Sequence, residues 1–114
     1  MRVERIAQEI KREISNILSQ ELRDPRLGFV TITYVEVSAD LKNAKVHYSV
    51  LGDKKKEEST TIALKKATGF VRKLIGERLN LRFNPEIIFK FDKSIAYSIK
   101  IEEVLKEIED DKQL

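Results

Sequence analysis

The chain has 114 residues, 36% charged and 41% hydrophobic, and its 22 Lys and Arg against 19 Asp and Glu leave a formal net charge of +3. That length suits one domain, and the absence of cysteine excludes a disulfide framework and a thiolate zinc site. No run approaches about 18 uninterrupted apolar residues, and Met1-Arg2-Val3-Glu4-Arg5 leaves no apolar stretch for a signal peptide, so a cytoplasmic protein with no membrane partner is expected.

Val3, Ile6, Ala7, Ile10, Ile14, Ile17, Leu18 and Leu22 mark one face of a helix of about five turns that Pro25 ends. Arg5, Lys11, Arg12 and Arg23 lie off that face, and Arg26 follows Pro25 in a turn. Phe29 to Val37 reads as a strand with apolar or β-branched residues on both faces. Asp40 to Asn43 makes a hairpin in which the Asp40 and Asn43 side chains bond the backbone. Ala44 to Leu51 then alternates Ala44, Val46, Tyr48 and Val50 against Lys45, His47 and Ser49.

Gly52-Asp53 and Lys54 to Glu58 read as a polar loop. Beyond it Ala63, Leu64, Ala67, Phe70, Val71, Leu74, Ile75 and Leu79 recur at helical spacing, interrupted by Ala67-Thr68-Gly69. A mid-helix glycine costs about 1 kcal/mol relative to alanine, which predicts a kink between two helices, or a neighbour too close for a β-carbon. Asn80 marks the helix end, Asn84-Pro85 the entry to a strand in which Ile87, Phe89 and Phe91 alternate with Ile88 and Lys90. Ser94 caps a final segment whose Ile95, Ile99, Val104, Leu105 and Ile108 suggest a helical face before an acidic tail. The expected division is therefore a domain over 1–94 and a C-terminal helical segment over 95–114.

Charge is unevenly spread: residues 1–20 carry +1, 21–61 carry 0, 62–93 carry +5 and 94–114 carry −3. The excess surrounds the glycine, in Lys65, Lys66, Arg72, Lys73, Arg78 and Arg82, and a local positive field of this kind favours a polyanion. His47 is the single histidine, which with the missing cysteines removes Ser-His and Cys-His nucleophiles and the usual metal clusters. No Walker loop, dinucleotide fingerprint or RNP aromatic signature is present. No enzyme activity, metal or cofactor is expected.

The order strand, helix, helix, strand is the minimal unit of a KH domain, in which a G-x-x-G loop between the helices grips RNA. Here the glycines are Gly28, Gly52, Gly69 and Gly76, no two of them three apart. A KH-like unit joined by Ala-x-Gly, preceded by Asp24-Pro25-Arg26, Val30-Thr31-Ile32-Thr33, Ser38-Ala39-Asp40-Leu41 and Ala44-Lys45-Val46 in that order, resembles the ribosome-binding factor A family from the first helix to Asp92 and Ser94.

The resemblance implies an α+β, KH-like fold of order α-β-β-α-α-β, with a three-stranded sheet, helices on one face, and Ala67-Thr68-Gly69 as an interhelical kink in place of G-x-x-G. It also implies a monomeric, non-catalytic assembly factor that binds the small ribosomal subunit and its rRNA and assists late maturation. Arg5, Arg12, Arg26, Lys65, Lys66, Arg72, Lys73, Arg78 and Arg82 are the expected RNA contacts. A generic KH-like binder of single-stranded RNA and a protein-interaction module remain the alternatives.

Overall fold

The computed structural model describes residues 2–22, 24, 27, 29–82 and 84–92. Helix α1 spans Arg2–Asn16 and passes into a π-helical turn, Ile17–Glu21; β1 is Phe29–Val37, β2 Asn43–Leu51, α2 Lys54–Arg78 and β3 Glu86–Phe91. Ile6, Ile10, Ile14 and Ile17, spaced by four and three, form the buried stripe of the first helix. Its end is a widened turn in which the Leu22 N–H donates to the Ile17 carbonyl at 3.0 Å, five residues back.

The sheet order is β1-β2-β3, with β1 antiparallel and β3 parallel to β2. A parallel neighbour needs a long crossover, and α2 supplies it. Its buried Leu64, Val71 and Ile75 meet Val46, Tyr48 and Ile87 of the sheet and the α1 isoleucines in one core. Each such side chain contributes about 1.5–3 kcal/mol by leaving water.

The apolar pattern of β1 changes phase, and a bulge resolves it. Val30 and Ile32 alternate with Thr31, whereas Val35 and Val37 occupy the opposite parity. The register pairs Ile32 with Tyr48 and Tyr34 with His47, leaving Thr33 as the extra residue between them. Ile32, Val35 and Val37 thereby pair with inward Tyr48, Val46 and Ala44, while Thr31, Tyr34 and Glu36 join Ser49, His47 and Lys45 on the open face. The hairpin follows the sequence reading at Asp40, whose Oδ1 accepts from Ser38 Oγ at 2.6 Å and from the Lys42 N–H at 3.0 Å. Asn43 instead contributes its backbone, its N–H donating to Ser38 Oγ at 3.0 Å and its carbonyl accepting from the Ser38 N–H at 2.9 Å.

The expected pair of helices is one helix. α2 runs through Ala67-Thr68-Gly69 without a break, so the order is α-β-β-α-β. Gly69 lies outside the positive-φ region, and a β-carbon there would meet nothing within 4 Å. The local device at this point is Thr68, whose Oγ1 donates to the Leu64 carbonyl at 2.9 Å, a bond that competes with the helix's own. The segment from Lys54 to Glu58, expected as a loop, is the first turn of α2. Asp53 caps it, Oδ1 accepting from the Lys56 N–H at 2.8 Å.

The helix ends as the sequence indicates at Asn80. With φ 50 it takes the left-handed position, its N–H donating to the Glu77 carbonyl at 3.3 Å while Leu81 donates to the Gly76 carbonyl at 3.1 Å. Among the described residues, no helix is long and apolar enough to cross a membrane. The expected boundary near residue 94 and the helical segment over 95–114 lie outside the described residues, as does Arg26.

Candidate nucleic-acid interface

On α2 the side opposite the core carries Ile62, Lys65, Lys66, Gly69, Phe70 and Lys73, all exposed. The spacing explains this: with Leu64, Val71 and Ile75 inward, positions near 62, 66, 69 and 73 fall half a turn away. The spacing of Phe70 predicts the buried face, yet it is 45% exposed, and Ile62 is 51% exposed. Among the described residues, no carboxylate lies within ion-pair distance of Lys65, Lys66 or Lys73. Gly69 sits in the middle of this ridge with open space above it.

The arginines of the same helix are differently placed. Arg72 donates through Nε and a terminal nitrogen to the Asn84 carbonyl at 3.2 and 3.0 Å, and its other terminal nitrogen lies 3.1 Å from Glu86. It thereby ties α2 to the start of β3. Arg78 pairs with Glu13 at 3.3 Å and also with Glu21, binding α2 to the first helix and its π-turn. Gly76 belongs to this inward group, since a β-carbon there would overlap Asn84 Oδ1 and fall 2.7 Å from its Cγ. The close approach that a helical glycine suggests is thus at Gly76, not Gly69.

The remaining expected contacts are scattered. Arg5 is exposed and 3.5 Å from Glu9, and Arg12 is exposed on α1 opposite the isoleucine stripe. Arg82 is exposed and borders a hollow of about 290 Å³ with Arg2, Asp40, Leu41, Asn80 and Leu81. Lys65, Lys66 and Lys73 are therefore the members that the fold gathers into one surface. Phe70 escapes the sequence reading because its spacing places it on the core face, and Ile62 because an apolar residue half a turn from that face does not advertise a polyanion site. Their close spacing to Lys66 and Lys73 is the signal that the sequence offers.

The open sheet face carries one stacked aromatic pair, while Tyr48 meets Phe89 and Phe91 edge-on on the core side. Tyr34 stacks on His47 with centroids 3.9 Å apart and an interplanar angle of 9°, while His47 Nε2 lies 2.9 Å from Glu36 Oε1. Desolvation, with the charges of Glu36 and Asp92 beside it, raises the Tyr34 phenol above its ordinary range. Asp40 is held below the usual carboxylate range by its bonds from Ser38 and Lys42. Among the described residues, no group of three or more His, Cys, Asp or Glu could hold a metal ion.

Fold and surface together define a small α+β domain whose best-assembled feature is a lysine ridge on one long helix. Comparison with known proteins gives the family: the family model for ribosome-binding factor A matches residues 2–105, and the chain belongs to that family. Ribosome-binding factor A of Halothermothrix orenii is 46% identical over 112 residues, covering 98% of this chain and 92% of that protein.

Solved structures agree. A solution NMR structure of a ribosome binding factor A candidate from Thermotoga maritima matches at 39% identity and TM-score 0.67, over 75% of this chain and 82% of that one. The crystal structure of ribosome-binding factor A from Thermus thermophilus matches in fold at 24% identity and TM-score 0.68, over 77% and 93%. A homology model of the Thermus thermophilus factor, fitted into a cryo-EM map of a 30S complex of that factor, matches in fold at 23% identity and TM-score 0.67, over 80% and 96%.

Proposed function

We propose that this protein is a cytoplasmic, monomeric, non-catalytic assembly factor that binds the small ribosomal subunit, contacts its rRNA and assists a late step of maturation. Family membership supports ribosome binding, and the Thermus factor's placement in a 30S map supports the small subunit. The observation that carries the mechanism is the α2 ridge, where Lys65, Lys66 and Lys73 stand exposed on both sides of Gly69, clear of carboxylates among the described residues.

Phosphate neutralisation by these lysines would supply affinity, and the rigid helix would set orientation. Gly69 then has a physical role. Lacking a β-carbon at an outward position, it leaves a flat spot at which a ribose-phosphate backbone approaches the helix, the service that G-x-x-G performs in a KH-like loop. Exposed Phe70 beside it offers a ring on which a base can stack. Release follows when the RNA refolds and the phosphates no longer match the ridge.

A sucrose-gradient profile of cell extract probed for the protein should find it with small subunits and show it leaving them as salt rises. Persistent migration at the top of the gradient at low salt would overturn the reading. Comigration with a protein partner that salt does not disrupt would favour an interaction module using Ile62 and Phe70.

A further inference from the structure

Away from the ridge, one hollow gathers charge from distant parts of the chain. It has a volume of about 290 Å³ and is lined by Arg2 at the start of α1, Asp40 and Leu41 of the turn between β1 and β2, and Asn80, Leu81 and Arg82 beyond α2. Ligand pockets begin at about this size, near ~300 Å³. Leu41 and Leu81 are partly buried against the core and give the hollow an apolar wall, whereas Arg2, Asp40, Asn80 and Arg82 are exposed. Two guanidiniums and one carboxylate therefore border the same space.

Its walls are held in place. Among the described residues, the non-glycine positions with positive φ are Leu41, at 63, and Asn80, at 50, and both border this hollow. A left-handed leucine is sterically unfavourable, so the turn must impose it. The Leu41 N–H donates to the Ser38 carbonyl at 2.9 Å, while Asp40 Oδ1 accepts from Ser38 Oγ and from the Lys42 N–H. On the other side the Asn80 and Leu81 N–H groups close the helix end on the Glu77 and Gly76 carbonyls. Both turn bonds of Asp40 fall on one carboxylate oxygen, Oδ1, which leaves Oδ2 as the acceptor for a ligand.

An arginine fork matches phosphate oxygens two at a time, and a carboxylate accepts well from a ribose hydroxyl. A bare anion would use the arginines but be opposed by Asp40. A nucleotide that carries a 2′-hydroxyl uses both. The geometry points to this hollow as a site for one ribonucleotide unit of an RNA strand, with Arg2 and Arg82 on its phosphate, Asp40 accepting from its 2′-hydroxyl, and its sugar against Leu41 and Leu81. The ridge lysines read phosphate, which RNA and DNA share, whereas the hollow reads the hydroxyl that DNA lacks. This deepens the proposed function and rests on its premise that the partner is RNA.

The test is an amide NMR titration of the full chain with a uridine hexamer, its 2′-deoxy counterpart and uridine monophosphate. The ribose hexamer should shift the amides of Leu41, Lys42, Leu81 and Arg82 as well as those of Lys66 and Lys73. Its deoxy counterpart should act alike at the ridge but require about tenfold more ligand at the hollow. Asp40→Asn keeps one oxygen for Ser38 and Lys42 and exchanges the other for an amide, so it should erase that difference. Arg2→Ala with Arg82→Ala should silence the hollow without moving the amides of Val46 or Ile75. No response at the hollow overturns the inference, and the ridge amides in the same spectra show separately whether the proposed function falls with it. Equal affinity of the hollow for the two hexamers, or a response that survives the double alanine variant, overturns it as well. Uridine monophosphate binding as tightly as the hexamer would overturn the strand and give the hollow to a free nucleotide.

Discussion

The two glycines of α2 lie two turns apart and occupy opposite situations. Gly76 is buried beneath Asn84, whose carbonyl is held by Arg72, and Arg78 just beyond it clamps the first helix. Gly69 is exposed, with nothing within 4 Å of where a β-carbon would be, and the lysines around it have no ion-pair partner among the described residues. The first region satisfies its groups within the fold. The second carries a glycine penalty of about 1 kcal/mol that no contact among the described residues repays. Basic residues divide likewise, so positive charge on this helix does two jobs: Arg72 and Arg78 join elements, and Lys65, Lys66 and Lys73 remain available.

The largest expected effect sharpens the contrast from the inward side. Gly76→Leu must displace Asn84 and overfill the contact with β3, costing about 1–3 kcal/mol in a denaturant melt. Gly76→Ala should fail to stabilise, since swinging Asn84 aside offsets the gain in helix propensity. Arg78→Ala removes a half-exposed arginine from two carboxylates, and about 1 kcal/mol or less of stability should go with it.

At Gly69 the sign reverses. With ordinary helical backbone and room for a methyl, Gly69→Ala should stabilise by about 0.4–1 kcal/mol, chiefly by restricting the unfolded chain. The same substitution should weaken association with small subunits, because the added methyl blocks the flat spot. Stabilisation with unchanged affinity would remove Gly69 from the interface.

The smallest effect lies in the hairpin, away from either glycine. Because the folded state depresses the Asp40 pKa, its contribution is present above the unfolded carboxylate value and is lost as pH falls through the folded one. The stability difference between wild type and Asp40→Asn, followed by thermal melts from neutral to acid pH, should therefore shrink as pH falls. A constant difference would show that the charge of Asp40 is immaterial.

Strands β2 and β3 are legible in the sequence because their alternation is clean, and Asn80 because its residue type suits the left-handed position that ends a helix. The bulge in β1 is hidden, since Thr33 is acceptable on either face and only pairing with β2 shows which residue is extra. Gly69 misleads in the other direction. Its penalty is small beside the burial of Leu64, Val71 and Ile75, which carry the helix through it without a break. The start of α2 is faint, because Lys54 to Glu58 carry no apolar period, although Asp53 is a usable cap signal. Which cations are available is not legible at all, as Arg78 finds Glu13 and Glu21 from 65 and 57 residues away.

The central claim is that the lysine ridge, not the inward arginines, neutralises phosphate. The direct measurement is the slope of log affinity for small subunits against log salt, taken for Lys66→Ala, Lys73→Ala and Arg78→Ala. Each lysine variant should lower the slope by about one for every phosphate left without its lysine. Arg78→Ala should leave it unchanged. A slope that falls for Arg78→Ala and holds for both lysine variants would contradict the account.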